Sequence, residues 1–443
     1  MKVLVATAEF SPYVRSGGLG DAVAGLVGAL VRAGHDVTVA LPRYGTIREI
    51  GKKFDDEWWM VDDGVRVLLF DEDSFDRPGL YGTVADQPYE DNWRRFGLFA
   101  RAVADLASDF DVLHLQDAHT GGAALISTIP TVFTAHNAAH PVLGPLDEAA
   151  ELLGVDSLAA VQGGALEWYD RANYLKAGFV GADQATTVSP GHAAELGVDE
   201  TSFGLAGVVR SLRRPLMGIV NGIDTVAWDP AIDSALPKPF NAADTTGRAA
   251  SRKSVVTQSG ITDGFILGNV GRMARQKGFD LLDPVLDPLV AEGARFVFVG
   301  NGELDDLIDE WVDRHPKAVA HLPYSEVTAR VVSAGVDAYF MPSRFEPCGL
   351  GQLYAMRYGA PPVVRFTGGL IDTVFDLDEQ PEKATGFGFR ALDPAEVAKT
   401  IRRAMRIHLD HADLWNGLVR NGMTADLSWD ARAKEYEALY ESL

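Results

Sequence analysis

A single carboxylate, Glu346, lies in the stretch Ser343-Arg344-Phe345-Glu346-Pro347-Cys348-Gly349-Leu350, just ahead of a helix expected from about Gln352. One short strand later, Thr367-Gly368-Gly369 forms a second small-residue turn that opens another helix. Such turns expose backbone N–H groups that a helix leaves unpaired at its start, which suits an anionic leaving group such as a diphosphate. Upstream, Gly271-Arg272-Met273-Ala274-Arg275-Gln276-Lys277-Gly278 follows a strand and sets Arg272 and Lys277 on either side of a turn. Both cations could converge on the same diphosphate and stabilise its departure in place of a divalent metal. A solvated basic loop is the plainer alternative, and Glu346-Pro347-Cys348-Gly349 downstream weighs against it.

The first half carries its own set. Arg15-Ser16-Gly17-Gly18-Leu19-Gly20-Asp21 follows the first strand. The glycines fit either a tight strand-to-helix turn or an anion cradle, and Arg15 beside Gly18 favours the cradle. His136 stands just past the strand ending Val132-Phe133-Thr134-Ala135, at a sheet's carboxyl edge, where a catalytic reading outweighs a structural one. Asp117 and His119 end a neighbouring strand similarly. Gly218-Ile219-Val220-Asn221 closes the half, and Asn221 suits a capped hinge turn as well as a ligand contact. Cys348, flanked by Pro347 and Gly349 with no histidine close in sequence, is expected to pack rather than to attack. The histidines lack a compact ligand spacing, so no metal site is expected.

Elements to position these groups are legible along the chain. Lys2 to Ala8 is a nearly continuous apolar run, as in a buried parallel strand. The helix after it puts Val23, Leu26, Val27, Leu30 and Val31 on one face and stops at Gly34. Further strands are expected at 37–41, 112–115, 131–134 and 184–188. The pattern restarts with strands at 265–270, 295–299 and 337–341 and a helix at 279–292. Repeated strand–helix units imply parallel sheets covered on both faces. The class is therefore α/β, with two Rossmann-like domains whose ligands bind at the carboxyl ends of the strands around a cleft. Polar, Pro-rich sequence at 228–246 is the boundary candidate, giving domains at 1–227 and 228–427 and a terminal helix at 428–443.

Composition bounds the partners. The 443 residues suit two domains, and 47% hydrophobic with 9% aromatic content fills two cores. A net charge of −22 argues against nucleic acid and anionic membrane surfaces. One cysteine excludes internal disulfides and fits a reducing cytoplasm; no apolar run approaches membrane-spanning length.

Taken together, Arg15 to Asp21, Asp117 to His119, Val132 to Asn137, Asn173 to Ala182, Thr187 to Pro190, Asn221 to Pro230, Gly271 to Gly278 and Ser343 to Val374 resemble the bacterial glycogen synthase and plant starch synthase family. The resemblance covers nearly the whole chain. It implies a GT-B architecture and a retaining, metal-independent glycosyltransferase that needs no cofactor. The donor would be a nucleotide sugar such as ADP-glucose, and the acceptor a maltooligosaccharide-type glucan. Arg272 and Lys277 would hold the distal phosphates. Glu346 would bind donor sugar hydroxyls, supported by the backbone of Cys348, Gly349 and Leu350. Gly18, Thr367 and Gly368, with Arg15, would cradle phosphate and sugar. His136 would lie over the anomeric centre, near Asp117 and Asn221, with Tyr324 against the base. The last helix would return to the first domain, and domain closure would assemble the site.

Three departures bear on the acceptor. Arg15 stands where the family has lysine, Ala138-Ala139-His140-Pro141 replaces the usual run after His136-Asn137, and the chain is shorter than typical members. They leave open a second version, a pseudo-glycosyltransferase joining a nucleotide-activated cyclitol to an amino sugar in acarbose-type biosynthesis. A non-catalytic sugar-binding relative would have lost Glu346 or the Arg272/Lys277 pair, and a phosphorylase would carry a pyridoxal phosphate lysine motif that is not found.

Overall fold

A computed structural model describes residues 1–47, 51–62, 64–83 and 87–443. The chain divides into two compact units, Met1–Gly222 with Trp429–Leu443, and Ile223–Ser428.

The first unit is built on a sheet of nine strands: β1 (Lys2–Ala6), β2 (Asp36–Pro42), β3 (Lys52–Lys53), β4 (Trp58–Asp62), β5 (Arg66–Phe70), β6 (Val112–Gln116), β7 (Thr131–Ala135), β11 (Gln184–Thr187) and β12 (Met217–Gly218). A small antiparallel sheet holds β8 (Leu143–Pro145), β9 (Glu167–Trp168) and β10 (Arg171–Asn173). The large sheet runs β12-β11-β7-β6-β1-β2-β5-β4-β3, parallel except for the β5-β4-β3 edge. Its central strand β1 is apolar from Val3 to Ala6, as in a parallel strand covered on both faces: Val3, Leu4 and Val5 are fully buried. In the helix Gly18–Arg32, Val23, Leu26, Val27 and Leu30 form the buried face, while Val31 is only partly covered.

The helix Trp429–Glu441 belongs to this unit although it ends the chain. Its Trp429 indole fits against Gly25, where an added Cβ would stand 2.0 Å from Nε1. Arg32 bonds Asp430, His35 bonds Glu437, and the Tyr440 hydroxyl lies 2.8 Å from His114 Nδ1 inside the core.

The second unit has one parallel sheet, ordered β15-β14-β13-β16-β17-β18, from β13 (Phe265–Val270), β14 (Ala294–Val299), β15 (Val319–Leu322), β16 (Ala338–Met341), β17 (Pro362–Arg365) and β18 (Phe387–Phe389). Two expectations differ from what is observed here. The segment 279–292 is a 3-10 turn, Phe279–Val285, followed by a short α-helix, Leu286–Ala291, because Pro284 removes a backbone donor in its middle. The stretch 228–246, the boundary candidate, is packed into the second unit. Trp228 stacks on Tyr354 at 3.8 Å, and Leu236 and Phe240 are buried in the second core. The division accordingly falls at Gly222/Ile223, where the Ile223 amide donates to Leu427 O.

Candidate active site

Each unit presents a set of polar groups at the carboxyl ends of its parallel strands. In the second unit, β13 runs into the loop holding Arg272 and Lys277, and β16 into the loop holding Glu346. Lys277 Nζ donates to Glu346 Oε2 at 2.6 Å, and Ser343 Oγ donates to the same oxygen at 3.0 Å. The two loops are also tied by their backbones: Arg344 N donates to Gln276 O at 2.8 Å, and Gln276 Nε2 to Phe345 O at 3.1 Å. A two-pronged Arg344–Asp280 ion pair locks the outside of the junction. Arg272 is exposed and has no hydrogen-bond partner among the described residues.

Behind Glu346 the chain turns through Gly349, at φ 73°, into the helix Gly351–Arg357. Gln352 braces this turn by donating to Cys348 O and Gly349 O. Thr367 is buried and Gly368, at φ 46°, caps the helix Gly369–Thr373. The amides opening that helix are not available to a ligand as expected: Gly369 N donates to Glu346 O, Leu370 N to Thr367 O, and Ile371 N to Gly368 O. The Gly369 bond ties the Glu346 loop to the helix start, and the other two close the turn itself. Cys348 is buried, and its backbone runs so close to Gly369 that an added Cβ there would stand 2.5 Å from Cys348 O. Tyr324 follows β15 and is half exposed.

In the first unit, β6 and β7 end side by side and deliver Gln116, Asp117 and His136. His136 Nε2 lies 2.7 Å from Gln116 Oε1, and burial holds the imidazole neutral by lowering its pKa to about 3. Asp117 sits in the left-handed region at φ 63°, a strained backbone for a side-chain-bearing residue. Burial pushes its carboxyl up to about 7, against the pull of amides at Asn137, Ala118 and His136. Gln116 Nε2, Asp117 Oδ1 and Asn221 Oδ1 are buried without a hydrogen-bond partner among the described residues. Buried polar atoms rarely go unsatisfied, and these three lie at the carboxyl edge of one sheet. His119 does not join them: its ring is stacked on Tyr81 at 4.5 Å and set edge-on to Phe96 at 4.6 Å.

The glycine turn is shaped by two residues that sequence reasoning passed over. Buried Glu9 accepts from Ser16 N and Ser16 Oγ, each at 2.7 Å, and from Gly17 N at 3.3 Å. Tyr81 OH donates to Glu9 Oε1 at 2.7 Å. Glu9 had a signal, a carboxylate at the end of the apolar run from β1; Tyr81 lies 72 positions away with none. Gly18 opens the helix Gly18–Arg32 and is exposed, while Arg15 pairs with Asp21 at 3.2 Å. Among the described residues, no group of His, Cys, Asp or Glu is placed to hold a metal ion. No helix among them is long and apolar enough to cross a membrane.

Two Rossmann-like units with these groups at their strand ends define a GT-B glycosyltransferase. Residues 2–211 match the starch synthase catalytic domain, and residues 264–406 match the group 1 glycosyl transferases. The glycogen synthase of Syntrophotalea carbinolica is 37% identical over 481 aligned positions, covering 99% of this chain and 98% of that protein. The glycogen synthase of Alkalilimnicola ehrlichii is 38% identical over 479 positions, covering 100% and 99%. Both alignments are longer than the 443 residues of this chain, so these relatives carry insertions that it lacks. Among solved structures, the catalytic domain of starch synthase IV from Arabidopsis thaliana, bound to ADP and acarbose, superposes with a TM-score of 0.86 at 29% identity, covering 100% of this chain and 98% of that one. The chain belongs to the glycogen synthase and starch synthase family and is a hexosyltransferase of α-glucan synthesis.

Proposed function

We propose that this enzyme moves a glucosyl unit, with retention, from ADP-glucose to the 4-position at the end of an α-1,4-glucan. The observation that carries the reading is the full-length likeness to chains named glycogen synthase, with Lys277 and Glu346 joined at 2.6 Å behind the donor-side turn. Adenine is favoured because the starch synthase IV neighbour is bound to ADP. In this reading the bond from the sugar anomeric carbon to the diphosphate breaks while the acceptor O4 bonds to that carbon from the same face. The acceptor proton passes to a phosphate oxygen. Arg272 and Lys277 offset the charge that develops on the diphosphate, and Glu346 holds donor hydroxyls. The backbone of Cys348, Gly349 and Leu350 supports Glu346, and Thr367, Gly368, Gly18 and Arg15 line the phosphate and sugar. His136, kept neutral, hydrogen-bonds the sugar near the reacting carbon, and Asp117 and Asn221 take further hydroxyls. Tyr324 stacks on the base. The sole cysteine and the absence of disulfides fit a cytoplasmic setting.

The test is a screen of ADP-, UDP- and GDP-glucose against glycogen, maltotriose and no acceptor, reading nucleoside diphosphate release and chain length by mass. Glucan-dependent release from ADP-glucose with chain extension is expected. Silence with every donor, while ADP still binds, would overturn the reading and favour a cyclitol-type donor.

A further inference from the structure

Among the described residues, four that carry a side chain beyond glycine adopt a positive φ: Asp117, Tyr169, Asp170 and Phe203. Backbone of this kind is costly and is retained where the surroundings over-determine it, commonly at ligand sites. Asp117 belongs to the site already described. The other three come together elsewhere in the first unit. Trp168 pairs with Arg171 across β9 and β10, so Tyr169-Asp170 is a two-residue hairpin loop, with φ of 49° and 63°. Such loops favour Asn-Gly or Asp-Gly, and an aromatic residue at the first position is a poor choice for the turn itself. The result is a tyrosine 80% exposed at the tip, its ring edge-on to Trp168 at 5.1 Å. Phe203, at φ 54° and 43% exposed, precedes Gly204, whose Cα faces the Trp168 ring so closely that a Cβ would stand 3.2 Å from it.

The support beneath is built. Glu167 accepts from Gly163 N at 2.9 Å and Asp170 N at 3.1 Å, which fixes the hairpin from below. Lys176 Nζ donates to Glu167 O at 2.6 Å and sits 5.9 Å from the Trp168 ring. The strand β8, which pairs with β10, is joined to His136 by residues 137–142, and Tyr174 N donates to Val142 O.

We propose that Trp168, Tyr169 and Phe203 form an aromatic platform for a glucosyl ring of the acceptor chain, away from the end being extended. The proposal rests on the glucan acceptor of the function given above. A pyranose offers an apolar C–H face with hydroxyls at its edge, which matches the exposed Tyr169 and Phe203 rings beside partly covered Trp168, with exposed Asp170 to accept and exposed Arg171 to donate next in the chain. The net charge of −22 disfavours an anionic partner and leaves a neutral polymer well matched.

The test compares Tyr169→Asn and Phe203→Asn with the wild type, since asparagine tolerates the left-handed region and keeps the turns intact. Calorimetric titration with maltoheptaose should show affinity falling at least about 5-fold in each variant. KM for glycogen should rise by a similar factor, with kcat and the KM for ADP-glucose unchanged. The melting temperature should hold or rise by about 2 °C as strain is relieved. Wild-type affinity for maltoheptaose in both variants would overturn the platform while leaving glucan transfer standing. A shift from dimer to monomer in sedimentation with unchanged glucan affinity would overturn it in favour of contact between copies of this chain. A wild type that neither binds maltoheptaose nor extends any glucan would sink the acceptor reading and the platform with it.

Discussion

Lys277 Nζ and Glu346 Oε2 stand 2.6 Å apart, with the carboxylate almost wholly buried and the ammonium only partly so. The pair means that the cation expected to receive a diphosphate is already neutralised by a carboxylate expected to hold the sugar. Removing the negative charge while keeping the shape should therefore separate two steps. In Glu346→Gln the Lys277 charge is no longer offset, so ADP should bind about 3- to 10-fold more tightly by calorimetry. Transfer should fall at least about 100-fold, because the donor sugar loses a charged acceptor. Weaker ADP binding with normal turnover would show that the pair is structural.

Arg272 differs in having no protein partner among the described residues and in lying exposed. Truncation to alanine should leave the melting temperature within about 1–2 °C of the wild type, as for a surface position. If it acts on charge that develops in the transition state, kcat should drop by about 100-fold or more with a smaller change in donor KM. A pure KM effect would place it in ground-state binding alone.

Legibility from sequence followed the range of the signal. Strand-to-helix turns announce themselves locally, so the loops bearing Arg272, Lys277, Glu346 and His136 were readable, as was the apolar run of β1. The cluster built by Glu9, Ser16, Gly17 and Tyr81 was not, because its members meet only after the sheet forms. Gln116 ends β6 directly before Asp117, yet nothing about a glutamine in a strand foretells that it will brace His136. The polar stretch 228–246 read as a domain boundary because Trp228, Leu236 and Phe240 are too widely spaced to show periodicity, though all three pack. Tyr169 and Phe203 carry no local signal in the sequence, because what sets them apart is a positive φ.

Gly25 offers a case where two effects compete in sign. Glycine inside the helix Gly18–Arg32 costs about 1 kcal/mol relative to alanine. An alanine Cβ there would fall 2.0 Å from the buried Trp429 indole, an overlap that typically costs about 1–3 kcal/mol and more when the neighbour cannot shift. Steric conflict should win. Gly25→Ala is expected to lower stability by about 1–2 kcal/mol, with faster hydrogen exchange across Trp429–Glu441. A stabilised variant would mean that the terminal helix repacks at no cost.

Burial lowers the pKa of His114, His119 and His136 to about 3 each, so all three are neutral when folded and charge on unfolding below their ordinary value of 6.5. Their contribution is fully present above pH 6.5 and is lost as pH falls. Asp117, raised to about 7, works the other way, staying protonated in the fold while the unfolded chain ionises above 3.8. Between about pH 4 and 5.5 the unfolded state binds close to three protons on the histidines and the folded state one on Asp117, a difference near two. Stability should then fall on the order of 2–3 kcal/mol per pH unit on acidification. Urea midpoints at pH 6.5, 5.5 and 5 would measure it, and a flat series would mean that at least two of these histidines titrate normally.

Asp117 can be isolated from that sum by Asp117→Asn. A carboxyl whose folded pKa is raised contributes most below its unfolded value of 3.8, and the contribution is lost as pH climbs through about 7. The wild type should therefore weaken from pH 5 to pH 8 on account of this group, and the asparagine variant should not. Their difference in unfolding free energy should swing toward the variant by up to about 3 kcal/mol across that interval. If Asp117 also contacts the acceptor or donor, the variant loses transfer while it gains stability, the pattern expected when strain and burial are retained for function. A difference that stays constant from pH 5 to pH 8 would show that Asp117 is already ionised at the lower end, and that the unpartnered Oδ1 is stabilised by a group other than a proton.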